Sequence, residues 1–311
     1  MTISKTLAAL IFAVVALPAS AGFSYKAYVP GLVAAQSAGG NQPAAPESCV
    51  LPWGGKLAAG QSYSGTVYAS ATVNAPGECL TVTETCNANG TLTYPGAALS
   101  CSVVDPYWAQ TVALLSMDST AWTDAKGHVF SSVGASLSAT AKVGLGSVNF
   151  TTAGTRLSTP YSADFDFGTG DFTVEGWTYL TGGANTWREL VSRYAGAPTG
   201  YYIFGLNQSN RLSVVVDGVV QIQGSLGLGF NQWHHIAWTR EAGTVRLFVD
   251  GQLDTSGALP QALNSSNGLS LGASNTGIEG MAGMLDEVRI TKGVARYKTT
   301  FTPSAAALPQ Q

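Results

Sequence analysis

The chain has 311 residues, a net charge of −3 and only 11% charged residues, against roughly 25% in ordinary soluble domains. Gly, Ala, Ser and Thr fill the difference, which suits a weakly charged, β-rich protein of the extracellular space or of a virion. No basic footprint marks a nucleic-acid partner, and no run of about 20 apolar residues offers a conventional membrane-spanning helix.

At the N-terminus Lys5 precedes the apolar run Leu7 to Leu17, which ends in Pro18-Ala19-Ser20-Ala21. These are the charged, apolar and small-residue parts of a secretory signal peptide, with cleavage expected after Ala21. The other reading is an apolar segment kept in the mature protein. Residues 22–46 are rich in Gly, Ala, Pro and Gln, and SAGGNQPAAP reads as a linker. Tyr25, Tyr28 and Val29 upstream of it suit a short strand or a docking segment.

Residues 47–103 form a second unit that holds all four cysteines, Cys49, Cys79, Cys86 and Cys101. A unit this small buries little surface, and two disulfides would constrain its unfolded state by roughly 2–4 kcal/mol each. Four cysteines allow three pairings and the sequence does not choose among them; Cys49 with Cys86 and Cys79 with Cys101 is the pairing we favour. A zinc site fits poorly because no C-x2-C pair exists. LPWGG, the GQS turn and TCNANGTL resemble a small cysteine-bearing β module of bacterial and phage surface proteins. Disulfides imply an oxidising site of assembly.

From residue 105 onward the pattern is that of short strands. Phe172, Thr173, Val174 and Glu175 alternate apolar and polar, and Val245, Leu247 and Val249 alternate with Arg246, Phe248 and Asp250. Asp217-Gly218 and Asp250-Gly251 suit the positive φ angles of tight hairpins, and Glu241-Ala242-Gly243 separates two more strands. No sustained helical stripe interrupts this, so the fold class is all-β: an antiparallel jelly-roll β-sandwich preceded by a small disulfide-stapled β module. The tail FTPSAAALPQQ is expected to pack back only as far as Phe301 or Pro303, leaving 304–311 as a free tail.

On DPYWAQTVALLSMD, LSTPYSADFDFGTGDFTVEGW, NQWHHIAWTREAGTVRLFVDGQ and LGASNTGIEGMAGMLDEVRITKGVARY, residues of about 105–303 resemble the laminin-G-like jelly-roll family, the concanavalin-A-like sandwich. The style, with DPYW at the opening and TKGVARY followed by FTP at the close, is similar to versions found in bacteriophage tail and appendage proteins. One departure is Gly176, where the family carries a bulky apolar residue, so altered packing is expected beside Trp177. The resemblance implies binding. Related sandwich-fold glycosidases carry paired carboxylates as E-x-D-x-x-E, and no E-x-D occurs in this chain; no G-x-S-x-G occurs either. We therefore expect no enzymatic activity.

The candidate site residues follow. Trp187, Arg188, Tyr194, Tyr201 and Asn275 fall near strand ends, where aromatic rings can stack on sugar faces and Arg or Asn can supply directional hydrogen bonds. Trp177 and Trp238 are read as core. The resemblance implies a rim calcium, with Asp286 as first candidate ligand and Asp171 as second; the competing reading for Asp286 or Glu287 is an ion pair with Arg289 or Arg246. Asp164, Asp166 and Asp171 lack the later bidentate Glu of a calcium loop and read as turn caps. His234 and His235 point to opposite faces of a strand and cannot share a metal; His128 reads as structural. The function expected is non-enzymatic attachment to a cell-surface glycan or receptor. A phage virion appendage, assembled with other virion proteins, is the first reading. A secreted bacterial carbohydrate-binding adhesin and a ligand-free decoration protein are the others. A homo-oligomer is compatible with each.

Overall fold

Residues 47–311 are described by a computed structural model, apart from 76, 152, 184, 185 and 197–199. The signal-peptide-like segment 1–21 and the linker or docking segment 22–46 lie outside the described residues. Residues 46–311 pack as one unit.

The cysteine-rich part contributes six short strands, β1 (Cys49–Val50), β2 (Lys56–Leu57), β3 (Val67–Tyr68), β4 (Thr72–Asn74), β5 (Thr81–Val82) and β6 (Ser102–Val104). They pair two by two, β1 with β2, β3 with β5, and β4 with β6 in parallel. So little strand pairing cannot hold a core by itself. Disulfides join Cys49 to Cys86 and Cys79 to Cys101, and Cys49 and Cys86 are buried, as are Leu51, Val67 and Ala97.

The rest of the chain folds into two antiparallel sheets. In the first, β12 (Phe172–Gly182) and β21 (Ala282–Lys292) lie at the centre. Beyond β12 come β17 (Trp233–Glu241), β18 (Thr244–Val249) and β19 (Gln252–Ala258). Beyond β21 come β10 (Ser147–Phe150) and β9 (Ser136–Ser138), while β7 (Thr111–Leu115) pairs the remaining length of β21. The second sheet runs β16 (Val219–Gly227), β15 (Arg211–Val216), β14 (Tyr202–Leu206), β13 (Arg188–Ser192), β20 (Leu269–Leu271), β11 (Arg156–Thr159) and β8 (Ser131–Val133). Alternate residues of the two sheets meet in one apolar core: Phe172, Val174, Trp238 and Leu247 from the first, Tyr202, Phe204, Leu212 and Val214 from the second. Each such side chain contributes about 1.5–3 kcal/mol by leaving water.

The turns obey their residues. Asp217-Gly218, Ala242-Gly243 and Asp250-Gly251 all have positive φ at both positions, the geometry that matches the twist of a two-residue hairpin. The departure at Gly176 has a structural counterpart. β21 bulges opposite it, between the partners of Glu175 and Trp177, with Glu287 at φ 49. A Cβ on Gly176 would lie 3.2 Å from Val288 Cγ2, so the glycine leaves room for the bulge.

Two expectations are corrected. Trp177 is not core: strand alternation puts it on the outer face with Glu175, half-buried, with the Lys142 ammonium 4.3 Å from its ring centre. Trp238 is core, at 1% exposure. The tail also packs further than Pro303. Tyr297 and Phe301 stack with centroids 3.5 Å apart over the outer face of the first sheet, against Phe248 and His235. Beyond them the Leu308 N–H donates to Glu287 Oε2 at 3.1 Å and Gln311 O accepts from the Asp105 N–H at 2.8 Å.

Under this cover lies a buried charge network. Arg289 donates from Nε to Glu175 Oε1 at 2.9 Å and from Nη1 to Asp105 Oδ2 at 3.2 Å. Arg296 grips both oxygens of Asp105, at 2.8 and 2.7 Å, and the Tyr297 hydroxyl donates to Glu175 Oε2 at 2.6 Å. Burial opposes ionisation of Glu175 and Asp105. For Glu175 the Arg289 charge and its neighbours outweigh burial, and for Asp105 the Arg296 hydrogen bonds do; both carboxyls end below their ordinary range.

Replacing Arg289 by Met leaves buried carboxylates short of a cation, and we expect a loss of about 3–5 kcal/mol in denaturant unfolding. A change under 1 kcal/mol would show the network to be dispensable. Replacing Cys79 and Cys101 by Ala opens a loop whose ends are 22 residues apart. The expected cost is about 3 kcal/mol, seen as lost protease resistance within residues 47–103 while the sandwich keeps its own.

Candidate functional site

The outer face of the second sheet carries a recess of about 330 Å³. Its floor is Ile203 on β14 and Val215 on β15, which alternate with core residues and so point outward. Its walls are Trp187, Tyr194 and Tyr201, which flank β13 and β14 at their ends. The Tyr194 and Tyr201 rings lie 4.8 Å apart at 54°. The rim is the exposed Ile278-Glu279 pair of the loop before β21.

Glu189 sits inside this recess because β13 is bulged. The register against β14 shifts between Glu189 and Val191, so Leu190 and Val191 both reach the core while Glu189 faces out. Directly opposite is Gly205, which offers no side chain to cover the carboxyl. The Glu189 N–H donates to the Glu279 carbonyl at 2.8 Å, which ties the rim loop to the strand. Glu189 is 1% exposed, and among the described residues neither carboxyl oxygen has a hydrogen bond of ordinary geometry, the Ser192 hydroxyl and the Glu279 carboxyl being the polar groups that act on it. Burial raises its pKa to about 8; the Glu279 charge adds to the rise and the Ser192 hydroxyl opposes it. Tyr201 is raised too, by burial first and then by the charges of Tyr194, Asp217 and the two glutamates. Among the described residues no Lys, Arg or His lines the recess.

Three of the five expected binding residues, Trp187, Tyr194 and Tyr201, are thus brought together. Arg188 is not with them. It precedes the bulge on the core side, is fully buried, and donates to the carbonyls of Gly182, Gly183 and Asn207 and to Asn210 Oδ1. Asn275 stands behind the wall: its amide donates to Gly268 O at 3.0 Å and its backbone N–H holds Tyr194 O at 2.9 Å. It positions Tyr194 and commits one of its amide N–H donors to the backbone.

The residues do not fit the rim calcium that the resemblance implies. Asp286 is fully buried and its Oδ2 accepts from the backbone N–H groups of Lys142 and Val143 at 2.8 and 3.0 Å. Burial raises its pKa to about 6. Asp171 accepts from Ala242 N at 2.9 Å. Asp286 pairs across from Trp177, six positions along β12 from Asp171 and roughly 20 Å away. Among the described residues no group of three or more His, Cys, Asp or Glu could hold a metal. His128 bridges Asp124 and Asp164 at 2.8 and 3.0 Å, His234 meets Asp250 at 2.7 Å, and His235 faces Glu175 at 3.4 Å. Asp166 pairs with the buried Arg193.

Glu189 and Glu279 were not among the candidates. They are 90 positions apart in a chain of ordinary strand residues, and only the bulge and the rim loop bring them to one recess. A carboxyl whose pKa is raised on folding contributes stability that is full below its unfolded value and is lost as pH rises through its folded value. The window for Glu189 therefore runs from about 4.5 to about 8. Glu189→Gln should leave the melting temperature near that of the parent protein at pH 5 and raise it by several degrees at pH 9 in differential scanning calorimetry. Equal melting at both pH values would mean Glu189 is not buried as described. Asp286 and Glu287, also raised mainly by burial, act in the same direction in both proteins and cancel in the comparison.

Residues 151–296 match the family model described as the concanavalin A-like lectin/glucanases superfamily. No curated protein matches the chain. Among solved structures, the binding domain of Paraclostridial Mosquitocidal Protein 1 is similar at 14% identity and a TM-score of 0.50, over 60% of this chain and 50% of its own. Domain 4 of AbnA, a GH43 extracellular arabinanase from Geobacillus stearothermophilus, in complex with arabinotriose, is similar at 18% identity and a TM-score of 0.45, over 60% and 94%. The binding domain of botulinum neurotoxin DC in complex with rat synaptotagmin II is similar at 11% and 0.48, over 60% and 49%. The chain spans half the length of the first of these, and at such identities the likeness is one of fold. Residues 151–296, the stretch that matches the concanavalin A-like family model, thus lie within a larger two-sheet sandwich preceded by a module with two disulfides.

Proposed function

We propose that this protein is an exported, non-enzymatic attachment protein whose sandwich binds a cell-surface glycan or receptor through the recess walled by Trp187, Tyr194 and Tyr201. The observation that carries the reading is the convergence of three aromatic side chains around a recess of about 330 Å³ on an outer sheet face. Recesses of this size with aromatic walls and a few polar groups are the common form of a small-ligand site. Aromatic faces bind the C–H faces of sugars at little cost in lost side-chain freedom.

Export is preferred to a phage virion for two reasons. Two disulfides call for an oxidising site of assembly. The motifs that suggested a phage origin, DPYW and TKGVARY, interlock through Asp105, Arg289 and Arg296. A fold requirement accounts for them without reference to location.

A glycan array probed with the purified protein should give a defined set of retained glycans. Trp187→Ala and Tyr201→Ala should each weaken retention about tenfold or more, as central aromatic contacts do, with little change in melting temperature for Trp187→Ala and a lowered one for Tyr201→Ala, whose ring is buried. Full retention by both variants would place the site elsewhere, and release of reducing sugar from a retained glycan would contradict the non-enzymatic reading.

A further inference from the structure

We infer that the recess takes an organic ammonium group, with Glu189 and Glu279 as its counter-ions and the aromatic walls as its cage. The inference rests on the reading of the recess as a ligand site and adds the charge of what enters it.

Buried polar groups in folded proteins nearly always have a partner, and a buried carboxyl without one is costly to the fold. Glu189 is such a group: 1% exposed, placed on the recess, and among the described residues without a cation or a hydrogen bond of ordinary geometry, only the Ser192 hydroxyl and a second carboxyl acting on it. The contrast with Glu175 is direct. That carboxyl is equally buried, on the opposite sheet, and receives Arg289 and Tyr297. At Glu189 the described residues supply no cation. Arg188, its neighbour in sequence, is turned to the far side of the strand and held there through both terminal nitrogens. A second carboxyl, Glu279, lines the same recess, and Asp217 acts on Tyr201 at its edge. Among the described residues the recess is thus an acidic space without a cation.

The walls favour one kind of cation. Trp187, Tyr194 and Tyr201 present ring faces, which attract a cation by their quadrupole and do so best for weakly hydrated organic ammonium groups. A metal ion fits poorly. Calcium takes six to eight oxygen ligands, whereas the floor is Ile203 and Val215 and the recess has two carboxyls. A neutral sugar hydroxyl could donate to Glu189 but would not draw it into its ionised form beside Glu279. An ammonium group both donates and neutralises. The source of that group is an amino sugar with a free amine or the quaternary headgroup of a choline-type ligand; the chemistry recognised is the same.

Calorimetric titration of the full chain near neutral pH tests this with three probes: a tetramer of glucosamine, the same tetramer N-acetylated on every ring, and choline. The expected result is at least tenfold tighter binding of the free-amine tetramer than of its acetylated form, weakened by added salt. That preference should fall to parity in Glu189→Gln and shrink in Glu279→Gln. Glu279 is an exposed rim residue, so its variant reports even if the first is poorly folded. Equal binding of both tetramers would overturn the ammonium inference and leave the glycan reading standing. Choline binding that Glu189→Gln abolishes, with neither tetramer bound, would uphold the inference and overturn the glycan reading. Failure of all three probes, or a preference unchanged in both variants, would overturn the inference.

Discussion

The Asp105–Arg289–Glu175–Arg296 network is the constraint on which the rest of the sandwich depends. Four charged side chains from the opening segment, two central strands and the closing segment meet beneath the stacked rings of Tyr297 and Phe301. Charges taken out of water are tolerated only when matched this closely. The match therefore fixes several things at once. It sets where residue 105 enters, how β21 lies along β12 and β7, and where the tail crosses the outer face. Glu175 and Asp105 stay ionised against the effect of burial because Arg289 and Arg296 more than offset it.

The two outer faces of the sandwich treat buried carboxyls in opposite ways. The first sheet is roofed by the tail, and its Glu175 is answered from within the chain. Among the described residues the second sheet has no such roof over β13 to β15, and no cation answers its Glu189. A fold that compensates one buried carboxyl so fully and gives another no cation has a place where an outside group can supply what is missing. That place coincides with the aromatic recess, and the β13 bulge creates it. Without the bulge, strict alternation would spread Leu190 and Val191 over both faces and displace Glu189.

The sequence revealed elements whose signal is local. Asp217-Gly218 and Asp250-Gly251 announce their hairpins because few residues tolerate consecutive positive φ angles. Val245, Leu247 and Val249 announce a core strand because burial selects every second residue. What stayed hidden depends on pairing across distance. Trp177 read as core because large aromatics are usually buried, yet its parity with Glu175 places it on the outer face. Arg188 read as a ligand-binding group because it adjoins Trp187, but the strand turns neighbours to opposite sides. Asp286 read as a calcium ligand by resemblance, and its backbone hydrogen bonds appear only once β21 meets the loop at Lys142 and Val143. The tail was read as loose from its composition, while its contacts with Glu287 and Asp105 are made one residue at a time. Glu189 and Glu279 left no sequence trace, since a bulge and a 90-residue separation define their meeting.

The measurement that bears most directly on this account is carbon-detected NMR titration of the Glu189 side-chain carboxyl, first in the free protein and then with a retained ligand. The account predicts titration near pH 8 in the free protein and a fall of that midpoint into the ordinary carboxylate range once a cation occupies the recess. A midpoint in the ordinary range without ligand, or one that no retained ligand moves, would contradict it.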